Sequence, residues 1–228
     1  IYPATKKIDE QTQIVKLDIT HEILDWHIEN NARVEFYSSN IRRNDVDLYT
    51  AGSGLDRSVQ VREGLDHVQG MNTLRLERQV KDWLYLSGGY LYSKFDGDYS
   101  FNQITENAAG LPTAGKFWYA NDIQLRREMH VFSASGLLKP WDSLFVSAGF
   151  QGEWTHQEGF GNVNLDEGDP NVPPLFALLP VYVQSDLDKS RFSENVAVRY
   201  TKIPWTVLFA EARLAQEEVS QNESEDAQ

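Results

Sequence analysis

The chain has no cysteine, only two methionines, and 21 Lys and Arg against 34 Asp and Glu. Without cysteine there is no disulfide, no thiolate zinc site and no iron–sulfur ligation. A net charge of −13 argues against a nucleic-acid backbone as partner, because that contact needs basic surface. No run of about 18 apolar residues occurs, so no transmembrane helix is encoded. Strands cross a membrane with a much weaker signal and stay open as a possibility. Also missing are a His-Glu-x-x-His pattern, a phosphate loop and a Gly-x-Ser-x-Gly elbow. The five histidines (His21, His27, His67, His130 and His156) form no two-histidine metal pattern, and His21 and His27 flank a turn as interfacial polar residues. Gly52-Ser53-Gly54 reads as a flexible turn. The clusters Asp96-Gly97-Asp98 and Asp166-Glu167-Gly168-Asp169 offer oxygens but lack calcium-loop spacing, and Asx turns account for them. No nucleophile–base set is recognisable, so catalysis is not expected, and neither is a cofactor or a metal.

What is present has near-average globular composition, 41% apolar and 24% charged, which excludes wholesale disorder. Ile1-Tyr2-Pro3 is neither an initiator methionine nor a signal peptide, so the chain is expected to be processed or trimmed. The strongest signal is a repeat. Ile23-Leu24-Asp25-Trp26, Val80-Lys81-Asp82-Trp83, Leu138-Lys139-Pro140-Trp141 and Lys202-Ile203-Pro204-Trp205 match one another, with tryptophan spacings of 57, 58 and 64. The flanks before each tryptophan (15–23, 73–80, 130–138 and 192–201) and after it (28–37, 84–95, 143–155 and 206–215) alternate with period two. That is the mark of a half-buried strand. After Trp141 one face carries Leu144, Val146, Ala148, Phe150 and Trp154, while the other carries Ser147, Gly149, Gln151 and Glu153, with Phe145 as the exception.

The unit is therefore strand, tight turn, strand, then a long connection over 38–70, 100–122 or 157–190. Pro140 and Pro204 are expected in the tight turns. Short turns at one end and long loops at the other are the asymmetry of outer-membrane barrels. The expected fold is all-β: an antiparallel up-and-down transmembrane β-barrel segment of eight strands in four hairpins, with short tryptophan-containing turns and long opposite loops. Trp26, Trp83, Trp141 and Trp205 would ring one membrane interface. A second aromatic cluster (Tyr92, Phe95, Tyr99, Phe101, Phe117, Trp118, Tyr119, Trp154 and Phe160) would mark the other. Nine steps separate Trp83 from Tyr92. At about 3.3 Å per step and a tilt near 45°, these cover roughly 21 Å of membrane normal, close to the ~25 Å apolar band.

Leu144, Val146, Phe150, Leu208 and Leu214 are expected to face lipid. Arg75, Glu77, Gln79, Gln151, Glu153, Asn195, Arg199, Glu211 and Arg213 are expected to line the lumen. On a soluble fold the same polar set would be a solvated face. The stretch 173–183 is apolar where a loop should be polar; packing on its own loops is the default expectation, with folding into the lumen, packing over the barrel mouth or meeting a partner as the alternatives. Residues 216–228 carry five acids and no base, and read as an acidic polar tail. Residues 1–228 are read as a single barrel segment, a window from a larger barrel, because both ends would fall on the long-loop side.

The stretch from Trp83 through Tyr92 to Lys94, with 152–158 and 196–205, resembles the strands of large bacterial outer-membrane barrels. It is similar to the decahaem-cytochrome-associated (MtrB/PioB-like) porin group. That resemblance implies a sleeve around a multihaem cytochrome. The cysteine pair carried by some members has no counterpart here. The expected function is a porin-like pore wall, or a sleeve around a periplasmic or multihaem cytochrome partner, in the lipid bilayer of a bacterial outer membrane. The alternative is a soluble all-β binding module for a glycan or protein.

Overall fold

The computed structural model describes residues 4–47, 57–107, 112–166 and 178–227. Eight strands follow one another: β1 (Ala4–Ile23), β2 (Trp26–Asp47), β3 (Arg57–Lys81), β4 (Leu84–Asn107), β5 (Pro112–Trp141), β6 (Leu144–Asp166), β7 (Leu178–Tyr200) and β8 (Leu208–Ala227). They form one antiparallel up-and-down sheet in the order β1 to β8. Among the described residues β1 pairs only with β2 and β8 only with β7, so the sheet is open. Register sets Trp26 opposite Arg78, Leu84 opposite Leu138 and Leu144 opposite Tyr200, which brings the four short turns to one end.

The strands are longer than alternation alone indicates, at 20 to 30 residues each. Most of 38–70, 100–122 and 157–190, expected as loops, is paired strand. Their Gly, Asn and Asp content is poor for an isolated strand. Each segment nevertheless has an equally long neighbour to complete its ladder, and that context overrides propensity. The stretch expected to be an acidic tail is strand as well, from Gln216 to Ala227. Its charge is partly met across the ladder, where Glu217 lies 3.4 Å from Lys189 and 4.0 Å from Arg191. Within the apolar stretch 173–183, residues 178–183 belong to β7 and 173–177 lie outside the described residues. Gly52-Ser53-Gly54 and Glu167-Gly168-Asp169 lie outside them too.

The turns differ in construction. Leu24 and Asp25 take φ of 50° and 65°, the paired left-handed conformation of a type I′ hairpin. Pro204 lies in the β7–β8 connection, where Thr206 N donates to Ile203 O at 3.1 Å. Pro140 is not in a turn. It sits in a register shift between Leu138 and Trp141, where a residue lacking an N–H interrupts no ladder bond. Leu24 is a poor left-handed residue, since each non-glycine there costs about 1–2 kcal/mol. Replacing Leu24-Asp25 by Asn-Gly is expected to stabilise the hairpin by about 1 kcal/mol. A urea midpoint that moves down would contradict the turn assignment.

The sheet has no second layer and no conventional core. Ala120 is the single buried hydrophobic side chain among the described residues. Large apolar side chains on every strand are instead substantially exposed.

Candidate functional site

Directly opposed residues of an antiparallel ladder point to the same side, so the register sorts every strand into two faces. Val146 stands opposite Leu138 and Val198, and Val198 opposite Ala210. The face defined by Val146 is apolar over a limited length: 15–23, 26–36, 68–78, 84–92, 130–138, 144–154, 192–200 and 208–214. Most of these spans match the ~9–11 residues that a tilted strand needs to cross a bilayer. Leu144, Val146, Phe150, Leu208 and Leu214 all lie on this face. The band then stops. The next same-face positions are Gln13, Ser38, Asp66, Lys94, Glu128, His156, Ser190 and Gln216.

Polar residues within the band are few and mostly partnered. Asn30 and Asn72 exchange reciprocal amide hydrogen bonds of 3.1 and 3.2 Å. The Arg78 guanidinium sits 5.6 Å from the Trp26 ring at the turn edge. His130 shares a 2.7 Å hydrogen bond with the Tyr90 hydroxyl near the far edge. Glu194, between Phe192 and Val196, is the band's one charged residue away from its edges.

The opposite face of the same segments is polar. Arg75, Glu77, Gln151, Glu153, Arg199, Glu211 and Arg213 all lie on it, with Gln79 and Asn195. Neighbours two residues apart pair along a strand: Arg75 with Glu77, Arg33 with Glu35, and Arg213 Nε with Glu211 at 2.5 Å. Ser39, Ser93, Thr105 and Ala120, the most buried of the larger residues, also lie on this face. On a barrel wall whose apolar band is outermost, the polar face is the concave one and the band face the convex one.

The four repeat tryptophans stand at the turn end. Trp26 opens β2, Trp141 closes β5, and Trp83 and Trp205 are in turns, with Trp205 fully exposed at 105%. The second aromatic cluster does not form one girdle. Tyr92 and Trp154 edge the apolar band, but Phe95, Tyr99, Phe101 and Trp118 belong to the concave face. Phe160 lies further out on the convex face, and the Phe117 side chain is outside the described residues. The band edge is completed instead by Phe36, Phe132 and Phe192. There Trp154 meets Phe192 edge-on at 5.4 Å above Gly152, where a Cβ would come within 2.8 Å of the indole.

Beyond the band the two faces exchange character. On β3 to β7 the concave side becomes largely apolar, with a hollow of about 460 Å³ lined by Leu65, Phe95, Tyr99, Ile123, Leu125, Val163 and Val183, while on β1, β2 and β8 it stays polar, with Glu10, Arg43, Asp45, Glu217 and Glu223. His67, with 15% side-chain exposure, lies between Tyr37 and Phe95, with ring centroids 4.9 and 5.1 Å away. The convex side becomes charged, with Lys94, Asp96, Asp98, Arg126, Glu128, His156, Glu158, Asp186 and Asp188. Here the Lys94 ammonium, 3.1 Å away, holds the Glu128 carboxyl below the usual range. His156 bonds Asp188 at 2.8 Å and Glu158 at 3.3 Å, which raises its pKa above the ordinary value. A raised histidine pKa contributes stability that is present below the unfolded value near 6.5 and fades as pH rises through the folded one. Alternation alone reveals none of this grouping, because His156, Asp186 and Asp188 meet only across β6 and β7.

No family model matches the chain, and no curated protein matches it. Among solved structures it is similar to the siderophore receptor PiuA from Acinetobacter baumannii, with 11% identity and a TM-score of 0.32. That match covers 97% of this chain and 46% of the receptor, so the chain spans under half the receptor's length. It is also similar to the translocator domain of the autotransporter NalP from Neisseria meningitidis, with 10% identity and a TM-score of 0.24 over 96% of this chain and 87% of that one. Both neighbours are outer-membrane β-barrel proteins. At such TM-scores neither fixes the architecture, which rests on the strand register of the chain itself.

Proposed function

We propose that the chain forms part of the wall of a bacterial outer-membrane β-barrel, with a structural and conductive role rather than a catalytic one. The observation that carries this reading is the apolar band. It is confined to one face, it has crossing length on most strands, and it is backed by a polar face. A soluble sandwich needs a second sheet to cover such a band, and all eight described strands lie in one sheet. Exposed apolar surface on this scale requires lipid or a partner. A soluble module for a glycan or protein is the competing reading. Solubility without detergent would favour it.

Within the barrel reading, the largely apolar concave surface of β3 to β7 beyond the band favours a sleeve over an open pore. Water-filled pores present polar walls, whereas an apolar inner rim suits a protein seated in the mouth. A multihaem cytochrome is the partner that the resemblance of the strands implies. The wall itself is tested by planar-bilayer conductance. Glu153→Lys, on the concave polar face, is expected to leave assembly intact and shift ion preference toward anions. Loss of assembly in that variant would contradict a wet lumen at this level.

A further inference from the structure

Immediately beyond the apolar band, on its convex face, β6 and β7 bring four ligand-bearing side chains together. His156 stands opposite Asp188, and Glu158 opposite Asp186. Nδ1 of His156 is 2.8 Å from an Asp188 carboxylate oxygen and 3.8 Å from one of Asp186. The donor atoms of His156, Asp186 and Asp188 all lie within 4.8 Å of one another. Metal bonds of about 2.0 Å in a tetrahedral set separate ligand atoms by roughly 3.3 Å, a value that these contacts bracket.

Two features set this group apart from the acidic surface around it. The first is the imidazole. Its second nitrogen, Nε2, lies 3.3 Å from Glu158, and a carboxylate in that position fixes the ring and aims the other nitrogen at a metal. The second is charge. Nearby acids have basic partners: Glu128 has Lys94 and Asp96 has Arg126. Arg126 stands opposite Glu158 in the register yet turns to Asp96. Among the described residues no Lys or Arg pairs with Glu158, Asp186 or Asp188, so three carboxylates share one imidazole.

We propose that His156, Asp186 and Asp188 bind one divalent transition-metal ion of the Zn²⁺ or Mn²⁺ type, with Glu158 as the positioning residue on the imidazole. A nitrogen donor beside two carboxylates suits those ions better than Ca²⁺, which takes six to eight oxygens. The ion neutralises the cluster and ties β6 to β7 at the rim of the band. Its remaining coordination positions open outward. Only the placement of this rim beside lipid headgroups rests on the barrel reading; the binding itself does not.

The test uses the full chain, metal-stripped, in detergent micelles, titrated with Zn²⁺ by calorimetry at about pH 7.5. One ion per chain is expected, with Ca²⁺ at equal concentration failing to displace it. His156→Ala and Asp188→Asn should each weaken binding at least tenfold. Glu158→Gln should weaken it by about 10- to 100-fold, as loss of an outer-shell partner does. Asp186→Asn provides a further variant should His156→Ala fail to give the strand circular-dichroism signal of the parent. Absence of stoichiometric Zn²⁺ binding, or binding by folded variants equal to that of the parent, would overturn the site. Because micelles suffice, a failed titration leaves the barrel reading untouched, and a failed conductance experiment leaves the metal site untouched.

Discussion

Val146→Arg is expected to destabilise the bilayer-inserted chain by about 2–4 kcal/mol, the range for an arginine near the membrane midplane on a lipid-facing strand position. Val146 is the residue to choose because it lies inside the band on a central strand, flanked by Leu138 and Val198. Its same-face neighbours along β6 are Leu144 and Ala148. None of these offers the guanidinium a hydrogen-bond acceptor. Snorkelling toward the turn end is the main relief available, and the predicted range already includes it. The matched control is Ser147→Arg, one residue along and on the concave polar face beside Ala197 and Leu137. With the polar face toward water, as the proposed barrel wall requires, the expected effect there is small. Urea titrations of folding into lipid vesicles read both. Equal losses in the two variants would mean that the band does not face hydrocarbon, and the outer-membrane reading would lose its main support.

The alternation that predicts Val146 outward and Glu153 inward is legible because a strand needs only a period of two and a turn to fix its phase. Every residue expected to line the lumen lies on one face, since counting from the repeat tryptophans assigns them all. Other features are hidden. The strands run well past the band, and there the polar phase of β4 passes from Ser87 to Phe95 and Tyr99 while the apolar phase passes from Tyr92 to Lys94. A change in which phase is apolar looks, along the sequence, like the end of a strand. For that reason the outer halves read as loops, and aromatics of both faces read as one girdle. The His156 cluster is illegible for a different reason. Asp186 and Asp188 are 30 and 32 residues from His156, and only the register of a long β6–β7 ladder brings them opposite.

The other large effect concerns the two edges of the sheet. β1 and β8 each present one ladder side with no partner among the described residues. Both carry apolar band positions on the convex face: Val15, Leu17 and Ile19 on β1, and Leu208, Ala210, Ala212 and Leu214 on β8. In hydrocarbon each unpaired backbone group costs several kcal/mol, and a crossing of about ten residues leaves several such groups on each edge. That sum exceeds the net stability of an ordinary domain. A lone 228-residue chain is therefore expected not to persist as a membrane-spanning monomer. It should require further strands at both edges, supplied by additional polypeptide or by another copy. The absence of cysteine makes this directly measurable. Leu17→Cys and Ala212→Cys, introduced together into vesicle-inserted chain, report what each edge touches through disulfide cross-linking. Cross-links between copies, with native mass spectrometry showing more than one chain per particle, are the expected result for this chain alone. An intramolecular cross-link between the two substituted positions, in a stable monomer, would show instead that β1 and β8 meet, closing an eight-stranded barrel and removing the need for any added strand.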